Sequence, residues 1–258
     1  MIVLHPSRSG ATSLHLTRDL AAVAGPMIAE AIARSVRRTG RCRLGLSGGS
    51  TPAPVFAYLR AHLPGSIYGQ LWVTWTDERH LPLTDPRPGD WQAFDPESNL
   101  RLAYEHWLAH VPLPPEHVLP MSLGGAVSEQ VVRFGRQFLH DFAGGLDVAV
   151  LGVGADGHIA SLFPDHPALE VDDLCLAIHD SPKPPADRLS LTLPVLRQTG
   201  HVFVLASGAA KADVLLRVWR GDTTVPLGRL QPAHDAHWIV DPAAGAGIVH
   251  NALAELDD

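Results

Sequence analysis

Cysteine is scarce in this chain of 258 residues: only Cys42 and Cys175 occur, with no C-x-x-C pair. That count excludes a disulfide framework, and the lack of paired ligands excludes a zinc-finger site. Both thiols fall in or beside apolar runs and read as buried groups in a reducing compartment. No run reaches the roughly 20 apolar residues of a membrane span, so no membrane partner is expected. No basic stretch followed by an unbroken apolar one opens the chain, which argues against a signal peptide and for a cytoplasmic location. A basic surplus is lacking too. The formal net charge is −7 and the pI is near 6.1. That excludes a general nucleic-acid binder but leaves room for a phosphorylated metabolite held by a few local cations. The 15 histidines are scattered, and neither a metal nor another cofactor is expected. No internal repeat and no linker interrupts the chain, so residues 1–258 are read as a single α/β domain. Nothing in the sequence points to an oligomeric state.

Hydrophobic residues make up 46% of the chain and charged residues 18%, enough for a sizeable core. Apolar runs of strand length fall at 2–5, 43–46, 71–75, 117–121, 147–151, 174–179, 189–193, 201–206 and 237–240. Helical spacing falls at 16–38, 52–62, 98–110, 130–142 and 209–220. Pro26 should kink the first of these helices or start a second one. In the fourth, Val131, Phe134, Phe138 and Phe142 form an apolar stripe that reads as core. Strands alternating with helices imply an open, mostly parallel sheet with helices on both faces.

In such a sheet, ligands bind beyond the carboxyl ends of the strands. The run at 147–151 ends in Gly152, Gly154 and Gly157, with Asp156 and His158 inside the turn. An acid and an imidazole there suit proton transfer near neutral pH. The glycines also match the dinucleotide fingerprint. Pro164, however, cuts off any helix after about a turn and a half, and no acid ends the next strand as that motif requires. The strand at 43–46 runs into Ser47, Gly48, Gly49, Ser50 and Thr51 and then a helix. Glycines let an anion approach, hydroxyls donate to it, and the helix N-terminus adds unpaired N–H groups. The G-K-[ST] ending of a nucleotide loop is absent, and an ordinary capped turn is the plain alternative. Asp77, Glu78 and Arg79 follow the strand at 71–75, as a ligand cluster or as a solvated loop. The proline-rich stretch 82–96 is long for a structureless connection. Beyond it, Asn99 is placed to reach back toward the site. Lys183 sits on a stiff proline-rich loop. Arg188 enters a strand, where a surface position is equally natural. Lys211 lies in the first turn of a helix, an unfavourable place for a cation unless an anion is near. From these residues the chain reads as a phosphometabolite enzyme using acid–base chemistry.

The ordered set of motifs carries more. LSGGSTP at 46–52, D-E-R at 77–79 with Ser98-Asn99, GVGADGHIASLFP at 152–164, SPKPP at 181–185 with Arg188, and Gly208 with Lys211 closely resemble the 6-phosphogluconolactonases of the pentose phosphate pathway. The resemblance implies a Rossmann-like fold shared with glucosamine-6-phosphate deaminase, and a phosphosugar lactone as substrate. It implies a phosphate held by Ser47, Gly48, Gly49, Ser50, Thr51, Arg188 and Lys211. His158 would be the base that activates water, Asp156 its support, and Arg79 the stabiliser of the oxyanion or product carboxylate. Asp77, Asn99, Gly154 and Lys183 would be further substrate contacts. The deaminase is the nearest rival, and Ile159 matches its pattern better than the threonine usual in lactonases. Deaminases continue with Asn-Glu-Pro, whose glutamate assists ring opening. Here the chain reads Ser161-Leu162-Phe163-Pro164, and a lactone needs no ring-opening acid of that kind. A non-catalytic phosphosugar sensor on the same fold is the third reading, and the retained His158 argues against it.

Overall fold

A computed structural model describes residues 2–4, 12–83 and 91–254. In chain order its strands are β1 (Ile2–Leu4), β2 (Thr12–Leu16), β3 (Cys42–Leu46), β4 (Leu71–Trp75), β5 (Asp77–Arg79), β6 (Val118–Leu119), β7 (Val148–Gly152), β8 (Cys175–Ile178), β9 (Arg188–Leu191), β10 (His201–Ala206) and β11 (Asp235–Val240). Its α-helices are α1 (Leu20–Thr39), α2 (Ala53–His62), α3 (Asn99–His106), α4 (Val127–Phe142), α5 (Leu193–Arg197), α6 (Ala212–Trp219), α7 (Pro226–Leu230) and α8 (Ala246–Ala254). The main sheet runs β1-β2-β11-β10-β7-β3-β4-β6, and every pair is parallel except β1 with β2. β7 lies near its centre, and Val148 to Leu151 are fully buried, as a run covered on both faces should be.

Parallel strands are joined by right-handed crossovers. The connections through α1, α2 and α3 carry the chain toward β6 and so lie on one face. Those through α4, α5, α6 and α7 carry it back along the other. The packing agrees: α1 touches α2 and α2 touches α3, while α5 meets α7 and α6 meets α8. β3 leads one way along the sheet and its neighbour β7 leads the other. The crevice outside their carboxyl ends is therefore the topological switch point, where open α/β sheets bind ligands. The loops that open there are Ser47 to Thr51 and Gly154 to His158.

Two expected members of the parallel sheet, the strands at 174–179 and 189–193, lie elsewhere, joined by one that was not expected. β5, β9 and β8 form a separate antiparallel sheet. Only Thr76 separates β4 from β5, and its carbonyl accepts from Leu191 N at 2.8 Å. The D-E-R cluster is thus a strand rather than a loop. α4 packs on β8 and β9, and its stripe is core as expected, with Phe134, Phe138 and Phe142 fully buried and stacked at 5.4 and 5.3 Å.

Other differences have local causes. The first helix begins at Leu20, capped by Asp19, because Thr12–Leu16 is strand β2. That strand hides as a polar sequence: Ser13 Oγ lies 2.9 Å from His15 Nε2 and 2.8 Å from His237 Nδ1 of β11. One helix runs through Pro26, and no second one starts there. The segment after His158 is not a helical turn, because Gly157 and Ala160 have φ of 83° and 49° and Ile159 bridges Leu162. α3 stops at His106, where Trp107 leaves helical geometry to bury its ring and donate to Tyr68 Oη at 3.1 Å. Ala209–Lys211 is a 3-10 turn, which places Lys211 at the N-cap of α6. Of the long 82–96 stretch, residues 84–90 lie outside the described residues.

Candidate active site

The loop after β3 is shaped by a neighbour. A side chain at Gly48 would place its Cβ 1.8 Å from Asn99 Oδ1, and Gly49 has φ of 91°, a region open chiefly to glycine. Ser47 Oγ lies 2.8 Å from Thr76 Oγ1, tying the loop to the end of β4. α2 then begins with Pro52 as N-cap, which supplies no side-chain acceptor. The first-turn amides of α2 point into the crevice end of the fold without a cap. That is the condition under which a helix N-terminus takes an anion.

The loop after β7 folds on itself. Gly154 N donates to His158 O at 2.9 Å and Gly157 N to Gly154 O at 3.0 Å. This brings Asp156 Oδ1 to 2.6 Å from His158 Nδ1. The His158 ring sits 5.0 Å from that of Phe163. Burial holds His158 below the usual histidine range, against the favourable carboxylates of Asp156 and Asp77, and the charge of Lys183 adds to the lowering. Burial disfavours the Asp156 carboxylate, but the hydrogen bond from His158 and the charges of His158 and Lys183 outweigh it and hold the carboxyl low. The pair therefore assigns the proton of a neutral imidazole to Nδ1, shared with Asp156, and leaves the Nε2 lone pair available.

The small sheet supplies the charged wall. Register pairs Asp77 with Ser190 and Arg79 with Arg188, so all four side chains share one face. Asp77 is buried. It accepts from Ser161 Oγ at 2.7 Å, has Asn99 Nδ2 at 3.4 Å and Arg188 Nη1 at 3.9 Å. Arg188 Nε donates to Pro185 O, and its Nη2 to the carbonyls of Lys183 and Pro184. Arg79 donates to the Glu97 carbonyl, and among the described residues its buried Nε has no acceptor. Lys183 Nζ lies 3.2 Å from His158 Nδ1 and 3.8 Å from Asp156 Oδ1. Lys211 feels both Lys183 and Asp156; burial and then Lys183 hold its ammonium below the usual lysine range. Among the described residues its ammonium has no hydrogen-bond or ion-pair partner. Lys183 and Lys211 are the only two lysines in the chain.

A run of contacts thus joins Gly48, Asn99, Asp77, Arg188, Lys183, His158 and Asp156, and Lys211 stands within electrostatic reach of Lys183 and Asp156. Ser50 and Thr51 make no side-chain hydrogen bond to a described residue, and Arg79 is linked to this run through its cross-strand neighbour Arg188. No group of three metal-ligating side chains occurs among the described residues. Ser161 was missed from the sequence as a site residue, and Glu78, grouped there with Asp77 and Arg79 in one ligand cluster, serves another purpose. Glu78 points to the opposite face from Asp77 and Arg79. It accepts from the amides of Arg79, Asn99 and Leu100 and from Ser98 Oγ, all within 2.8–3.0 Å. It caps α3 and so seats Asn99. Counting D-E-R with a period of two would have separated it from its neighbours.

Glu78 also yields a pH prediction. Burial pushes it up from the ordinary 4.5 to about 7, against the amides and hydroxyl that favour its ionised form. In that window the fold keeps a proton that the unfolded chain has lost. Its contribution to stability is full below 4.5 and is lost as pH rises through about 7. His237 has the opposite sign. Burial and then His15 hold it down from 6.5 to about 4, so stability is gained as pH rises across that range. The two oppose each other. Glu78→Gln is expected to expose the histidine limb, making the rise in urea-unfolding stability between pH 4 and 6.5 steeper than in the wild type. Parallel curves for the two proteins would refute it.

Comparison with known proteins places this geometry among relatives. The sequence model of the family described as glucosamine-6-phosphate isomerases/6-phosphogluconolactonase matches residues 16–239. The 6-phosphogluconolactonase of Mycobacterium tuberculosis is 32% identical over 240 residues, covering 88% of this chain and 93% of that protein. The 6-phosphogluconolactonase of Homo sapiens is 35% identical over 217 residues, covering 79% and 80%. Among solved structures, the 6-phosphogluconolactonase of Thermotoga maritima superposes with a TM-score of 0.78 at 22% identity, covering 89% of this chain and 99% of that one. A monomeric glucosamine-6-phosphate deaminase gives 0.72 at 18%, covering 92% and 99%. The fold is therefore shared with proteins of both names, while the two sequence relatives are both named 6-phosphogluconolactonase.

Proposed function

This chain belongs to the glucosamine-6-phosphate isomerase/6-phosphogluconolactonase family, and on that premise we propose that it hydrolyses 6-phospho-D-glucono-1,5-lactone to 6-phospho-D-gluconate. This is the lactone-opening step of the oxidative pentose phosphate pathway. The observation that carries the reading is the 2.6 Å Asp156–His158 pair at the switch point of a chain matched along most of its length by 6-phosphogluconolactonases. We take the chain as a single α/β domain working in the cytoplasm. None of its described helices is long and apolar enough to cross a membrane.

The chemistry follows from the geometry. His158 Nε2 takes a proton from water as the water oxygen attacks C1. The carbonyl becomes a tetrahedral oxyanion, stabilised by Arg79. The imidazolium is held by Asp156 and returns its proton to the ring oxygen as the C1–O bond breaks. The 6-phosphate lies at the Ser47 to Thr51 loop and the N-terminus of α2. Two of the three Arg188 nitrogens are committed to loop carbonyls, so Arg188 contributes charge and holds the loop. Lys211, whose ammonium has no partner among the described residues, grips the phosphate directly. The deaminase reading lacks its carboxylate: the residue before Pro164, where Asn-Glu-Pro carries its glutamate, is Phe163, whose ring lies 5.0 Å from that of His158.

The test is acceleration of lactone opening beyond the spontaneous rate, with the lactone made in place from glucose 6-phosphate. No acceleration would overturn the reading, and ammonia release from glucosamine 6-phosphate would replace it with the deaminase. Within it, Lys211→Ala is expected to raise KM with little change in kcat. A charged hydrogen bond worth about 2 kcal/mol corresponds to roughly 10- to 100-fold. An unchanged KM would remove Lys211 from the phosphate site.

A further inference from the structure

Lys183 stands where a phosphate ligand alone would have no reason to stand. Its Nζ is 3.2 Å from His158 Nδ1, yet that nitrogen already serves Asp156 at 2.6 Å. With Nδ1 protonated toward Asp156, the imidazole offers Lys183 no acceptor. The contact is a cation against a ring that must itself become a cation during the reaction. The groups facing His158 are Asp156, Lys183 and, more distantly, Asp77, with Lys211 behind, acting on Lys183 and Asp156. Lys183 therefore works against protonation of the base while the two aspartates support it.

The lysine is also built to move. Its backbone is pinned, because Ser181 Oγ donates to Lys183 O and accepts from Lys183 N, and Arg188 binds the carbonyls of residues 183–185. Its side chain is half-exposed and ends in a compact ammonium on a flexible four-carbon stem. A phosphate dianion seated near Lys211 would draw that ammonium away from the ring.

We infer that Lys183 couples phosphate occupancy to the strength of the base: its ammonium lies against the His158 ring and moves onto the phosphate of a seated substrate. Phosphorylated and unphosphorylated lactones then differ in kcat as well as in KM. The unphosphorylated one meets a base still opposed by its neighbour, so the preference is exerted in the chemical step. This inference rests on the lactonase reading for its substrate, but its first test needs no turnover.

The experiment is an NMR titration of the His158 ring, its signal assigned by its loss in His158→Ala. Wild type, Lys183→Met, Lys183→Gln and the charge-preserving Lys183→Arg are compared, each free and with saturating 6-phosphogluconate. In the free protein, the midpoint should move to higher pH in both neutral variants and stay low in Lys183→Arg. With 6-phosphogluconate bound, the gap between wild type and the neutral variants should close. Equal midpoints in the free proteins would overturn the coupling and leave the lactonase reading intact. A gap that persists unchanged under bound 6-phosphogluconate would also overturn it. Failure of 6-phosphogluconate to bind any of the proteins would overturn both the coupling and the substrate assignment. The lactone assay then shows whether hydrolysis itself survives.

Discussion

Replacing His158 with alanine is expected to lower kcat by roughly 10²–10⁴-fold, with thermal unfolding unchanged within error. The size follows from the role. The neutral ring has its Nδ1 proton held by Asp156 and its Nε2 lone pair free, so it can take a proton from water and hand it back to the leaving ring oxygen. Alanine does neither. The fold should survive, because the turn is closed by backbone: the His158 carbonyl accepts from Gly154 N, and Gly157 N donates to the Gly154 carbonyl. Asp156 keeps the Lys183 ammonium nearby at 3.8 Å. The loss is to be measured above the spontaneous opening of the lactone. A variant as fast as wild type would show that the base lies elsewhere.

Gly154→Ala should cost nearly as much without touching a catalytic side chain. A Cβ there would fall 1.9 Å from His158 Nδ1 and 2.3 Å from Asp156 Oδ1. To reach 3.0 Å the imidazole must retreat by about 1.1 Å and the carboxylate by about 0.7 Å, and a misplacement of about 1 Å can cost about 10²-fold in rate. The neighbouring Gly152→Ala is the control. Nothing lies within 4 Å of its added Cβ, and the two substitutions change the freedom of the unfolded chain alike. Activity near wild type for Gly152→Ala beside a roughly 10²-fold loss in kcat for Gly154→Ala would show that this glycine is there for space. Equal activity in the two variants would refute it. The same pair explains why the G-x-G-x-x-G match means nothing for dinucleotides here. Gly154 makes room for an imidazole and a carboxylate, and no helix follows.

What was legible in the sequence was whatever local chemistry determines. β3, β7 and β10 are short apolar runs ended by glycine or serine, and their burial in the middle of the sheet leaves little else for such runs to do. The loops at their carboxyl ends could be assigned a side of the molecule before any coordinates. What was hidden depended on distant partners. β2 is polar in sequence and becomes a buried strand only through Ser13 and His237. The small sheet exists because β5 finds β9 more than a hundred residues later. Glu78 looked like a member of a ligand cluster, and strand pleating turns it away to cap α3. Lys183 was visible as a cation on a stiff loop, but its seat beside a nitrogen already in use belongs to the fold.

Both side-chain amines of this protein stand at one place. With Lys183 and Lys211 the only lysines in the chain, the first 3.8 Å from Asp156 and the second within electrostatic reach of both, everything else basic on its surface is guanidinium or imidazole. Reagents that acylate primary amines therefore meet this molecule only at the rim of its proposed reaction centre and at the chain's own amino end. Acylation of lysine, which elsewhere on a protein is surface noise, amounts here to a direct report on the proposed catalytic cleft.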